Sequence, residues 1–587
     1  MPKSNNSKGT LRRLYRYLQQ HRILLGSVLI FALSGNICLL LGPKLIGQAI
    51  DLLAHNQGRL VREFWSLCLL LLLLFVVGFI TQWLMQSLTV KLSAKVAKKL
   101  RQDFYEHINK LPLAYFDRNS HGKLTSLIST DIEQINDGLV AGLPQLFSGL
   151  VTLVGSIYLM FSIEAHTTLL LLVLTPISFL ISGTVAKLSR EQYQLEAKQR
   201  GTLNGLAEEI ISNHSLIRTL QAGESGSYNL LSQYQQENAQ LYVHGQKAQF
   251  YSSLTNPLTR LVNASTYILI GTLASYYALS GKITVGAIAG LLTYANQFSK
   301  PINEITAVTT QLQAAIASAT EVFHVLDATP LPLEENLKDL QITQGAVEFE
   351  HVEFAYTSDH PLITDLNLSI APGSKVAIVG STGAGKTTLV NLLMRFYDLV
   401  GGRILIDGQD IAQVSRRSLR QQVGMVLQDI WLFKGTIAEN ICFALPQVDD
   451  TQMRKVCAEL GIDDFINRLP QGYQTIIGEE LSLSQGQKQL LTLARIMLQE
   501  PSLLILDEAT SNIDTLTEAI VQRAFDQLMH GRTSFVIAHR LVTVKNADLV
   551  LVMEQGKIIE RGTFVSLMQY ESHFKELYDS QFAGRQL

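Results

Sequence analysis

Long apolar runs fill the first half of the chain, and short alternating runs punctuated by glycine fill the second. A hydrocarbon layer about 30 Å thick takes about 20 mostly apolar helical residues to cross. Six segments meet that length, at roughly 23–46, 64–86, 138–162, 165–187, 253–279 and 283–308. Ser66 to Ile80, with a block of consecutive leucines, is the strongest, and 138–162 and 167–186 contain no charge. The fifth and sixth are weaker, because Arg260 and the polar set Asn296, Gln297 and Lys300 interrupt them. The first is too long for a cleaved signal peptide and carries Asn36.

The stretches between the second and third spans and between the fourth and fifth, about 87–137 and 188–252, keep helical periodicity and hold little glycine or proline. They predict helices that run on beyond the bilayer as stalks, about 35 Å for each 25 residues or so. Each stalk must turn. Leu111-Pro112-Leu113-Ala114-Tyr115-Phe116-Asp117 with Gly122 supplies one turn, and Ile217-Arg218-Thr219-Leu220-Gln221-Ala222-Gly223 suggests the other. Basic residues crowd both flanks of the first pair of spans, with Arg12, Arg13, Arg16 and Arg22 before it and Lys91, Lys95, Lys98, Lys99 and Arg101 after it. That excess places these flanks, and with an even number of spans the C-terminal domain, on the cytoplasmic side of a cell membrane.

Composition supports a membrane. Of the 587 residues 17% are charged, against about 25% in soluble domains, and the mean hydropathy is +0.18. A net charge of −2 argues against nucleic acid as a partner, since phosphate-binding surfaces carry a basic excess. Cys38, Cys68, Cys442 and Cys457 lack the spacing of a zinc site and the density of a disulfide framework, so they are expected to be reduced. The character of the chain changes between Thr309 and Ala346, where Leu331-Pro332-Leu333-Glu334-Glu335-Asn336 reads as an exposed linker. The expected organisation is a polytopic α-helical membrane domain over 1–310, a linker over 311–345, and an α/β P-loop domain over 346–587.

The chemistry lies in that last domain. Lys375-Val376-Ala377-Ile378-Val379 reads as a buried strand running into Gly380-Ser381-Thr382-Gly383-Ala384-Gly385-Lys386-Thr387, with Thr388 continuing as a helix. This is a P-loop in its strand–loop–helix setting. Glycines let the backbone wrap round phosphates, the helix start favours anions, Lys386 adds a positive charge, and the Thr387 hydroxyl can ligate Mg²⁺. A second buried strand, Ser502-Leu503-Leu504-Ile505-Leu506, ends in Asp507 and Glu508. Asp507 is placed to hold the Mg²⁺ shell and Glu508 to polarise an attacking water.

Ser511-Asn512-Ile513-Asp514 and Ile537-Ala538-His539-Arg540 follow in order, and with them the chain resembles an ABC transporter of the exporter type along its whole length. The resemblance implies ATP as substrate and Mg²⁺ as cofactor. It further implies that Tyr356 stacks on the adenine, that Gln428 senses the Mg²⁺ or γ-phosphate, that His539 contacts the γ-phosphate, and that Asp514 reports across a dimer. The two stalk turns then resemble the coupling regions of that family.

One motif departs from the family. The family's signature is Leu-Ser-Gly-Gly-Gln, whereas this chain reads Leu483-Ser484-Gln485-Gly486-Gln487, with Leu481-Ser482 as a competing register. In the family this sequence caps a helix that closes over the nucleotide held by the other subunit. Gln485 therefore puts a side chain where backbone must approach phosphate. Intact carboxylates and His539 beside an altered signature resemble the catalytically competent subunit of bacterial heterodimeric multidrug exporters. That resemblance implies a non-identical partner half-transporter with an intact signature. Ser484, Gln485 and Gly486 would close over a second nucleotide that is hydrolysed poorly. A homodimeric lipid flippase or peptide exporter and a nucleotide-gated channel or regulatory subunit are the alternatives. Candidate cavity residues for an amphipathic small-molecule substrate are Gln82, Trp83, Met85, Phe147, Tyr267, Tyr294, Asn296 and Phe298, with Glu304 placed to meet a cation or Lys300.

Overall fold

The computed structural model describes residues 7–55, 62–219, 230–332, 334, 337–357, 359–427, 430–443, 445, 448–478, 483–507, 515–538, 541–569 and 572–582. It falls into two units. One holds the chain to Asn109 and from His121 to Ala328, and the other holds Thr329 onward together with Lys110–Ser120. The short segment 110–120 thus belongs, by its contacts, with the C-terminal unit although it is embedded in the N-terminal half of the sequence.

The first unit is helical. A short helix α1 (Ser7–Gln19) leads into α2 (Arg22–His55) and α3 (Arg62–Ile108). Beyond α4 (Leu113–Arg118) of the other unit come α5 (His121–Ser126), α6 (Ile132–Ile163), α7 (Ala165–Ser212), α8 (His214–Thr219), α9 (Leu230–Leu279) and α10 (Val285–Leu326). At 47, 48 and 50 residues, α3, α7 and α9 are about 70–75 Å long, more than twice the hydrocarbon thickness. The stalks expected from sequence are therefore continuous with the spans. Among the described residues, Arg22–His55, Arg62–Ile108 and His121–Ile163 are long and apolar enough to cross a membrane, and Ala165–Ile177 is a shorter apolar stretch. Pro43, Pro144, Pro176, Pro257 and Pro301 lie inside long helices without ending them, as membrane helices tolerate when neighbours take up the freed carbonyls.

Helices α2, α3, α6 and α10 form one bundle, while α7 and α9 pack chiefly on each other. A cluster of Leu40, Met160, Leu171, Ile270, Leu291, Tyr294 and Phe298 ties the two groups together, with the Tyr294 hydroxyl donating to the Leu40 carbonyl at 2.7 Å. Near one end α2 and α10 meet at bare backbone. A Cβ on Gly286 would lie 1.9 Å from the Gly47 carbonyl oxygen, and Asp51 accepts from the Gly286 amide and the Thr284 hydroxyl, both at 2.7 Å. Helix α10 also runs past residue 310 to Leu326, into the stretch expected to be linker. Ala315, Ala319, Val322 and Phe323 are buried there at helical spacing, so the segment has an apolar stripe to pack.

The second unit is an α/β domain. Strands β1 (Val347–Thr357) and β2 (His360–Ile370) precede β3 (Lys375–Val379), which feeds α11 (Lys386–Leu393). Then come β4 (Gly401–Ile406), β5 (Gln409–Asp410), α12 (Arg416–Gln422), β6 (Val423–Val426), β7 (Gly435–Thr436), β8 (Ile476–Ile477), β9 (Leu503–Asp507), β10 (Thr533–Ile537), β11 (Leu549–Glu554) and β12 (Lys557–Gly562). A six-stranded sheet runs β12-β11-β3-β10-β9-β6, and an antiparallel sheet runs β2-β1-β4-β5. From β11 to β6 neighbouring strands are parallel, and β3, β9 and β10 are almost wholly buried, as strands covered on both faces are.

Two polar contacts lock the start of this unit. Four successive amides, Thr343 to Ala346, donate to the Asp407 carboxylate at 2.7–3.1 Å. Burial alone would raise that group, but these donors outweigh it and bring its pKa down to about 2. Glu334, expected in an exposed linker, is instead docked. It accepts from the Arg416 amide at 2.7 Å and pairs with its guanidinium, which is 8% exposed and also holds Asp398. The four cysteines are free.

Candidate active site

In parallel sheets, ligands collect where strands end at their carboxyl edge. Strands β3, β10 and β9 lie side by side in register, with Ile537 beside both Ile378 and Asp507. One edge therefore carries the loop after Val379, the end of β10 at Ile537 and the carboxylate of Asp507.

The loop is shaped by its glycines. Gly383 and Gly385 have φ of +85° and +100°, a region that strains any residue with a side chain. At Gly380 a Cβ would sit 2.2 Å from the Met553 carbonyl oxygen, so only glycine lets the loop pass under β11. Gly385 is the N-cap of α11, whose first-turn amides have no carbonyl ahead of them and form an anion seat. Ser381, Thr382, Gly383 and Thr387 are exposed, while Ala384, Gly385, Lys386 and Thr388 are buried.

Lys386 is folded back over the loop, donating from Nζ to the carbonyls of Gly380 at 2.8 Å and Ser381 at 2.9 Å. Burial lowers its pKa and the nearby charge of Asp507 partly restores it. Those two carbonyls hold the Lys386 ammonium over the loop that would seat a phosphate. Thr387 and Asp507 are the described residues whose oxygens suit Mg²⁺.

Tyr356, at the end of β1, is 43% exposed, with a ring free to carry a base. Its hydroxyl lies 3.0 Å from Thr388 Oγ1 on the first turn of α11. Thr388 therefore braces the tyrosine from a buried position. Phe354 and Tyr397 pack edge-on against the same ring at centroid distances of 4.8 and 5.1 Å. Tyr397 had no signal in the sequence, since nothing in Arg395-Phe396-Tyr397-Asp398 marks it out.

The altered signature begins a helix. Ser484 caps Gln485–Gln499, its Oγ accepting from the Gln487 amide at 3.2 Å while the Gln487 side chain accepts from the Ser484 amide at 2.9 Å. This reciprocal capping uses the polar residues of the motif itself. Ser484 and Gln485 are exposed and Gly486 is buried, so the Gln485 side chain stands at the open start of the helix. Gln428, Glu508, Asp514 and His539 lie outside the described residues, as do Leu481 and Ser482 of the competing register.

The cavity candidates divide. Met85, Tyr294 and Phe298 are at most 4% exposed and belong to interhelical packing, which corrects their assignment as lining. Phe147 is half-buried against Val28, Ala32 and Met85, and Gln82 is partly covered. Trp83, Tyr267 and Asn296 are exposed. The Glu304 side chain is outside the described residues.

A family model for the ABC transporter transmembrane region matches residues 25–302, and one for the ABC transporter matches 363–511. The chain is 36% identical over 582 residues to the uncharacterized ABC transporter ATP-binding protein YfiC of Bacillus subtilis, covering 99% of this chain and 95% of that one. It is 42% identical over 471 residues to a fatty acid ABC transporter ATP-binding/permease protein of Mycobacterium bovis, covering 80% and 74%. It is 33% identical over 589 residues to an ATP-dependent lipid A-core flippase of Nitrosococcus oceani, covering 99% and 97%. Among solved structures, a bacterial Atm1-family ABC exporter with ATP bound matches with a TM-score of 0.75 at 26% identity, covering 96% of this chain and 98% of that one. With its membrane helices, P-loop and sheet edge, this chain belongs to the ABC transporters as an exporter half-transporter that couples ATP hydrolysis to transport across a membrane.

Proposed function

We propose that this chain is the hydrolysis-competent half of a heterodimeric exporter that moves amphipathic drugs or lipid-like molecules out across a bacterial cell membrane. The observation that carries this reading is a complete P-loop and Asp507 in the same chain as a signature helix that opens on Gln485 rather than glycine. Glu508 then acts as the base toward water, His539 and Gln428 bind around the γ-phosphate, and the partner's intact signature closes the site. Mg²⁺ held by Thr387, Asp507 and Gln428 would neutralise charge between the phosphates. On the other face, Ser484, Gln485 and Gly486 close over a nucleotide that turns over slowly. The α7–α9 pair, packed chiefly on itself, fits an assembly in which a second chain receives it.

Closure of the paired ATPase domains must invert the membrane domain's preference. Reversing a 1:99 population takes about 5.5 kcal/mol of differential binding, for which two sandwiched ATP molecules are a sufficient source. Exposed Trp83, Tyr267 and Asn296 offer aromatic and neutral polar contacts suited to an amphiphile. The relatives named for fatty acid and lipid A-core transport favour a lipid-like molecule within that class. The test is ATPase activity of the purified chain in liposomes, alone and with its partner. Little amphiphile-stimulated activity alone and strong stimulation with the partner are expected. Strong stimulation from this chain by itself would replace the heterodimer with the homodimeric flippase reading.

A further inference from the structure

The ring that braces Tyr356 also reaches out of the nucleotide site. Tyr397 packs edge-on against Tyr356 and Phe354, at 5.1 and 5.7 Å between centroids, and its hydroxyl donates to the Asp117 carboxylate. The next residue, Arg118, donates from Nη2 to the Tyr356 carbonyl at 3.1 Å. Asp117 and Arg118 close the helix α4 inside the segment 110–120, which clusters with the ATPase unit while its sequence neighbours belong to α3 and α5. One short segment thus grips Tyr356 twice, by its backbone through Arg118 and by its ring through Asp117 and Tyr397. On the far side, the Tyr356 hydroxyl meets Thr388 of the P-loop helix.

We propose that Tyr397 is a positioning residue. Its ring holds Tyr356 ready for the base, and its hydroxyl, through Asp117, makes the segment Lys110–Ser120 respond to adenine on Tyr356. The proposal rests on the reading of Tyr356 as the adenine platform and goes beyond it. A base settling on Tyr356 shifts an aromatic cluster packed at van der Waals contact, which has few ways to yield. The Tyr397 hydroxyl is the polar atom through which that shift reaches a carboxylate of the segment. Ring and hydroxyl therefore carry separable duties, the ring in ATP affinity and the hydroxyl in communication with the membrane helices that the segment joins in sequence. Burial and the Asp117 carboxylate both raise the Tyr397 pKa, so the hydroxyl keeps its proton and stays a donor.

The test uses the complete transporter in liposomes, with ATP and CTP as substrates and an amphiphile as stimulant. Tyr397→Ala is expected to raise the KM for ATP about two- to tenfold, the worth of an aromatic pair, with kcat within twofold and a smaller preference for ATP over CTP. Tyr397→Phe keeps the ring, so the KM for ATP should stay at the wild-type value while stimulation by the amphiphile falls at least twofold. Asp117→Asn should lower stimulation similarly, and the double variant should fall no further than either single one. Tyr356→Ala separates the two readings. A raised KM there with an unchanged KM in Tyr397→Ala would overturn the ring's role alone, whereas an unchanged KM in Tyr356→Ala would overturn the platform and the ring's role together. Full stimulation in Tyr397→Phe would overturn the hydroxyl's role. If Tyr397→Ala does not fold, Tyr397→Phe and Asp117→Asn decide the claim on communication.

Discussion

The ATPase unit and the membrane unit are specified in opposite ways. In the ATPase unit individual positions carry the design. Gly380 passes under the Met553 carbonyl where no side chain fits, Lys386 reaches two named carbonyls, and Leu503 to Leu506 fill a strand buried on both faces. Much of the membrane unit is specified by composition over a length. Leu69, Leu70, Leu72, Leu73, Phe79 and Ile80 of α3 are all at least 46% exposed in the isolated chain, and what a bilayer asks of such positions is apolar surface rather than a particular shape. The lesson is that mutational sensitivity should follow contact with protein, and that the membrane unit should be sensitive only where its helices touch.

The largest expected effect is in the sheet. Leu504 is fully buried on β9, so Leu504→Ala should cost about 2–5 kcal/mol through lost burial and a residual cavity. A thermal-unfolding midpoint for the full transporter reads this directly. Leu72→Ile on the exposed face of α3 is the matched control and should stay within about 0.5 kcal/mol. Comparable losses in both variants would erase the contrast between the units.

A smaller effect should appear where the membrane unit behaves like the ATPase unit. At the crossing of α2 and α10, Gly286→Ala would bring a methyl within 1.9 Å of the Gly47 carbonyl oxygen. Backbone must move, at a cost of about 1–3 kcal/mol. The Asp51 contacts to the Gly286 amide and the Thr284 hydroxyl should loosen with it. Gly183, with nothing within 4 Å of an added Cβ, should accept alanine without loss. A neutral Gly286→Ala would mean that this crossing is set by something other than close backbone approach.

What could be read from the sequence follows the same division. Phosphate chemistry needs neighbouring residues, so the P-loop and the strand ending at Asp507 were legible as contiguous motifs, and apolar length was enough to find the long helices. Features made by residues distant in sequence were not legible. Glu334 looks like a linker residue until Arg416 is brought beside it. Tyr397 is unremarked until β1 places Tyr356 against it. Met85, Tyr294 and Phe298 are residues of a kind that lines cavities as readily as it packs helices, and only burial separates the two. The continuation of α10 to Leu326 was carried by a stripe of mostly small residues, Ala315, Ala319 and Val322, too weakly apolar to stand out beside the spans.

The central claim is that the ATPase unit drives transport rather than permitting it. ATP-dependent accumulation of a fluorescent amphiphile in inside-out proteoliposomes, compared between the wild-type transporter and Glu508→Gln, tests this most directly. The exchange removes the carboxylate proposed to act as base toward water while keeping its shape. The wild type should concentrate the amphiphile against its gradient, and Glu508→Gln should bind ATP normally yet turn over and accumulate at least tenfold more slowly. Equal fluxes in both proteins, running only down the gradient, would contradict the account and make this chain part of an ATP-gated pore.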